Sequence, residues 1–136
     1  MRILLLIFAF GIFLTANAAA WRETKSFVLK KDQLVKVLIK SEGEEKLLSF
    51  RWTLYTDKAL VVHEKFDRFV GQHILYTGFG SQSFQKQLMN MKRSQNDVPI
   101  ALVVFKKFDE GNNTAQLDLF LIDKEKRVVL DYLTEK

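Results

Sequence analysis

His63 and His73 are the only histidines in the chain, and no cysteine accompanies them. Thiolate chemistry and disulfides are therefore excluded, and transition-metal binding would need both imidazoles together with carboxylates. The stretch HEKFDRFVGQH supplies those carboxylates in Glu64 and Asp67. Its spacing matches no ligand motif, however. In an extended strand His63 and Glu64 point to opposite faces while His63 shares its face with Lys65, so a solvent-facing or cross-strand His63 is expected and no metal.

Other catalytic sets fare no better. None of the serines (Ser26, Ser41, Ser49, Ser81, Ser83, Ser94) sits in a G-x-S-x-G elbow. A triad gathered from distant segments would be recognised by geometry rather than by order. The carboxylates Glu42, Glu44 and Glu45 crowd one polar turn around Gly43, where no desolvated pocket exists to raise the pKa of an acid catalyst. Gly78-Phe79-Gly80 lacks the length of a phosphate loop. The expectation is a protein with no catalytic, cofactor-binding or metal residues, and hence not an enzyme.

One motif carries covalent chemistry of a different kind. Asn112-Asn113-Thr114 is an N-x-T acceptor for N-glycosylation, set in the polar stretch DEGNNTA between two apolar runs. Glu110, two residues before Asn112, makes it resemble the extended acidic sequon used by bacterial oligosaccharyltransferases. The same residue types also favour a turn backbone, and the two roles are compatible.

Such a modification requires export, and the N-terminus points that way. A lone cation at Arg2 precedes an apolar core from Ile3 to Leu14 and then Ala16-Asn17-Ala18, the three-part pattern of a secretory signal peptide. The core has twelve residues, short of the roughly 20 needed to span a bilayer. Residues 1–20 are expected to be removed, by a cut after Ala18 or after Ala20. Without cysteine the mature chain is no lipoprotein, and the periplasm of a Gram-negative bacterium is the expected compartment.

Lys and Arg number 21 against 16 Asp and Glu, and losing Arg2 with the leader leaves a net charge of +4. The charges are interleaved, as on a solvated surface, and no nucleic-acid motif is present. A weak contact with acidic cell-wall polymers or lipid headgroups is the expected use of the excess. The roughly 116 mature residues suffice for one self-sufficient core.

The elements that must position these residues are mostly strands. Leu48, Phe50, Trp52 and Leu54 alternate with Ser49, Arg51, Thr53 and Tyr55, the period of two of a half-buried strand. Extended runs also cover TKSFVLK, LVKVLIKS, LVVHEKF and RFVGQHILY, where Gly71 suggests a bulge or a strand bend. From Ser81 or Ser83 to about Gln95, Phe84, Leu88 and Met91 recur at helical spacing and Lys86, Lys92 and Arg93 face water, predicting a short helix over about 81–95. IALVVFKKF, AQLDLFLID and RVVLDYL then predict a three-strand meander. The fold class is mainly β, an antiparallel β-sandwich or partly open barrel of about eight strands with one short helix, forming a single domain over 21–136.

In the seventh of these strands Leu117, Leu119 and Leu121 share one face, and Phe120 and Ile122 the other. Both faces need cover. With Trp21 and Phe79, which fall outside any strand, Phe120 and Ile122 are the candidate interface residues. Export, small size, stray aromatics and missing catalytic sets suggest a non-enzymatic protein docking onto other envelope proteins in a larger assembly, such as a flagellar motor, secretion or envelope-maintenance complex. A small-ligand or lipid carrier with an aromatic-lined pocket is the alternative, and a hydrolase the third.

Overall fold

The computed structural model describes residues 23–78, 80–90 and 98–133. The expected leader over 1–20, Trp21, Phe79 and the tail of the expected helix over 91–95 lie outside them. Among the described residues nine strands run β1 (Glu23–Lys30), β2 (Val35–Ser41), β3 (Glu44–Thr56), β4 (Ala59–Phe66), β5 (Phe69–Tyr76), β6 (Ser83–Gln87), β7 (Ile100–Asp109), β8 (Thr114–Ile122) and β9 (Val129–Tyr132). They form two antiparallel sheets, one ordered β1-β8-β7-β6 and the other β5-β4-β3-β2-β9. The sandwich is therefore the correct choice over the barrel. Among the described residues no helix is long and apolar enough to cross a membrane.

Tight turns build the β2–β5 meander. Asp57 and Lys58 between β3 and β4 have φ of 50° and 65°, and Glu42 and Gly43 between β2 and β3 have 43° and 80°. Such paired positive values match the right-handed twist of the flanking strands. Both sheets then turn alternate residues inward. In β8 Ala115, Leu117, Leu119 and Leu121 are all buried, and β2 contributes Val35, Val37 and Ile39. Trp52, Phe50 and Phe105 are the bulkiest side chains sealed between the sheets.

Four expectations need correction. No helix forms over the described part of 81–95; residues 83–87 are β6, paired with β7. Phe84 and Leu88 are four apart, a spacing that fits a helix and an alternating strand alike, and the inward turn of Lys86 between them suits only the strand. The terminal meander is broken, because β7 and β8 form a hairpin but β9 crosses to the other sheet and pairs with β2. Buried Asp123 organises that crossing: its carboxylate accepts the backbone N–H groups of Arg127 (3.1 Å) and Val128 (2.9 Å). In β3 the register shifts between Trp52 and Leu54, so Tyr55 rather than Leu54 continues the inward face. Gly71 makes no bulge, since β4 and β5 pair without a register shift.

Candidate functional site

The sandwich has two seams where the sheets meet at their outer strands. At one, β1 lies against β3 and β9. Phe27 packs edge-on to Phe50 (centroids 5.9 Å apart) and against Tyr132 (6.0 Å), while Lys25 lies over the Tyr132 ring at 4.3 Å. The indole Nε1 of Trp52 donates to the Leu29 carbonyl at 2.9 Å, satisfying both groups within the core.

At the other seam, β6 faces β4 and β5, and the closure is ionic. Alternation along β4 turns Leu60, Val62 and Glu64 inward, so a carboxylate falls where the pattern otherwise places aliphatics. The Glu64 side chain has 0% exposure. Its Oε1 pairs with the Lys86 ammonium from β6 and lies 3.4 Å from His73 Nε2 from β5. Oε2 accepts no hydrogen bond among the described residues. The His73 ring stacks on Phe84 at 4.2 Å with an interplanar angle of 2°, so its plane is fixed by an aromatic neighbour as well as by the acid.

Gly71 makes the room. It is the register partner of Glu64 across β4–β5, and a Cβ at that position would collide with Glu64 Oε1. The carboxylate occupies the volume a side chain would take. Burying a charge in this way is tolerable only with its partners in place, and both partners keep about a quarter of their surface in water (Lys86 26%, His73 27%).

His63, one residue from Glu64, faces outward beside Gln72 and Arg51 as the alternation predicts. The two histidines thus occupy opposite faces of one sheet. Asp67 sits exposed in the β4–β5 turn with φ of 57°. Among the described residues no three His, Asp or Glu side chains gather to hold a metal. His73 and Glu64 do converge, but no serine or threonine hydroxyl bonds to that imidazole among the described residues. A nucleophile–base pair is not assembled there.

Behind Glu64, on the outer face, an open depression of about 260 Å³ is lined by Leu34, Ser49, Arg51, His63, Lys65 and Val70. On the opposite sheet, Phe120 and Ile122 are half-buried on the outer face, in register with Leu102 and Ile100. Glu110 and Asn112 are exposed in the β7–β8 turn, and Thr114 is half-buried at the start of β8. In that turn Asp109 accepts the Asn112 side-chain amide at 2.8 Å and its backbone N–H at 3.2 Å. These bonds, the side-chain one first, hold the Asp109 carboxyl below the usual carboxylate range.

Two members of the ionic cluster escape a reading of composition and spacing. Lys86 looks like a solvated helix residue, and Gly71 like a bulge. The alternation Phe84, Lys86, Leu88, which places a cation on an inward face, is the signal that marks the former. Comparison with protein-family models, curated proteins and solved structures yields no match for the chain.

Proposed function

We propose that the chain is an exported, non-enzymatic protein of the Gram-negative periplasm that docks onto a larger envelope assembly through the edge of β5. The observation that carries this is the character of that edge. Among the described residues the eight-residue strand Phe69–Tyr76 is paired along one side only, by β4, and it contains no lysine, carboxylate or proline. Edge strands are ordinarily blunted by such residues because unpaired N–H and C=O groups invite another strand.

Its side chains and backbone agree. Val70 is 78% and Ile74 51% exposed, and Ile74 continues across the sheet to Val61 and Leu54 as an apolar row. The Tyr76 amide points away from β4, donating to Ser81 at 2.9 Å. By strand alternation the amides of Val70, Gln72 and Ile74 point the same way, toward an added strand. Strand addition would draw affinity from those main-chain bonds and specificity from alternate side chains. Side chains fill the interior, so a carrier pocket has less support, and the depression of about 260 Å³ opens on the outer face. Arg51, His63 and Lys65 around it favour a secondary contact with an acidic polymer or headgroup surface.

The test is a photo-crosslinking residue in place of Gln72, in the chain's own envelope, against the same residue in place of Gln85 on the outer face of β6. Crosslinks from position 72 to a defined envelope protein, lost in a Val70→Lys/Ile74→Lys chain that keeps its β-sheet circular dichroism, support docking at β5. Identical crosslinks from both positions, or none from position 72, overturn it.

A further inference from the structure

We propose that Asn112 is an N-glycan acceptor and that Asp109 restrains its reactivity in the folded domain. This site is separate from the β5 edge and does not rest on docking. Glu110, Gly111, Asn112 and Asn113 are all exposed, on a hairpin turn that projects between β7 and β8. Four residues of the acidic acceptor, Glu110 to Asn113, are therefore presented at a loop tip that a modifying enzyme can reach, and Thr114 follows half-buried at the start of β8. Asn113, with φ of 53°, adopts the left-handed conformation that turns the chain directly after the acceptor.

The restraint lies in the acceptor atom. Asn112 Nδ2, the nitrogen that would carry the sugar, donates to Asp109 Oδ2 at 2.8 Å, and the Asn112 backbone N–H donates to Oδ1. Glycosylation forms a bond from Nδ2 to C1 of the reducing-end sugar and breaks that carbon's bond to the pyrophosphate of a polyprenyl-linked oligosaccharide. Nδ2 loses one proton to an enzyme base or to water, and polyprenyl pyrophosphate leaves. To enter an enzyme's active site the carboxamide must first turn away from Asp109. The folded turn therefore accepts sugar more slowly than an unstructured copy of the same residues.

The full chain, leader included, is expressed in a periplasm supplied with an oligosaccharyltransferase of acidic-sequon specificity and its lipid-linked donor. A copy of Glu110–Thr114 appended after Lys136 reports export and enzyme activity in the same molecule. The tryptic peptide 108–124 is expected to gain the glycan mass on Asn112, at lower occupancy than the appended copy. Asp109→Ala should raise the initial rate at Asn112 by roughly two- to fivefold, as expected when one solvent-exposed hydrogen bond no longer holds the carboxamide. Glu110→Gln should abolish it while leaving the appended copy modified. Glycan on the appended copy alone, with Asn112 bare in both the parent and the Asp109→Ala chains, overturns the proposal.

Discussion

The two seams solve one problem with different chemistry. Each must hold an outer strand of the four-stranded sheet against the five-stranded one, without backbone hydrogen bonds along a shared ladder. The β1 seam uses rings, one neutral donor and a cation over a ring, with Trp52 giving its indole proton to Leu29, Phe27 filling the space between Phe50 and Tyr132, and Lys25 lying over Tyr132. The β6 seam uses a sealed carboxylate, an ammonium and an imidazole. Aromatic contacts lose a fraction of their energy when one partner is trimmed. A buried ion pair behaves asymmetrically, because removing one partner strands the other charge in a medium that cannot solvate it. The strand proposed to dock, β5, belongs to the ionic seam.

The largest expected effect is at the aromatic seam. Trp52→Ala removes the biggest buried side chain there and leaves the Leu29 carbonyl without its donor, for a loss of about 3–5 kcal/mol by urea denaturation. A loss under about 1 kcal/mol would mean that the seam closes around the cavity and is not rigid. Lys86→Met comes next, at about 3 kcal/mol, the low end for breaking a buried pair because water still reaches Lys86. The decisive companion is Glu64→Leu/Lys86→Met, which should recover most of that loss, since an apolar pair replaces the ionic one. Additive losses in the double variant would show that the charges are incidental to the closure.

How far sequence reasoning reaches follows the same division. Eight of the strands announce themselves through alternation or β-branched runs, as in Val35, Val37 and Ile39, and the β8 split between Leu117, Leu119, Leu121 and Phe120, Ile122 is realised as written. Local pattern is enough because burial on one face imposes a period of two. The ninth strand was hidden, since Phe84 and Leu88 satisfy both periods and the discriminating residue, Lys86, is polar. Its inward turn makes sense only once Glu64 is known to face it across the gap, a relation between residues 22 positions apart. Likewise Gly71 reads as a break until its register partner is known. The crossing of β9 depends on a buried Asp123 whose partners are backbone amides, which carry no sequence signature.

Gly71→Ala tests the fit of the ionic seam at a smaller scale. The new methyl displaces the Glu64 carboxylate from Lys86 and His73, for an expected loss of about 1–2 kcal/mol. In a Glu64→Ala background the same substitution should be neutral or slightly stabilising, because alanine suits a strand better than glycine once the clash is gone. An equal loss in both backgrounds would place the fault in the backbone and sever Gly71 from the cluster.

The smallest effect lies far from either seam and provides their exposed counterpart. At Asp109 the carboxylate is held by Asn112 in open solvent, so the bond adds little and titrates visibly. Its folded pKa is below the unfolded value, so the folded state favours the ionised form. The contribution is then fully present above the unfolded pKa near 4 and fades as pH falls through the folded one. The urea midpoints of the parent and Asp109→Asn chains should therefore differ slightly at neutral pH, with the parent higher, and converge at a pH low enough to protonate the folded-state carboxylate. A gap that persists at that pH would mean that Asp109 supports the turn by shape rather than by charge, and the contrast with buried Glu64 would have to be drawn without it.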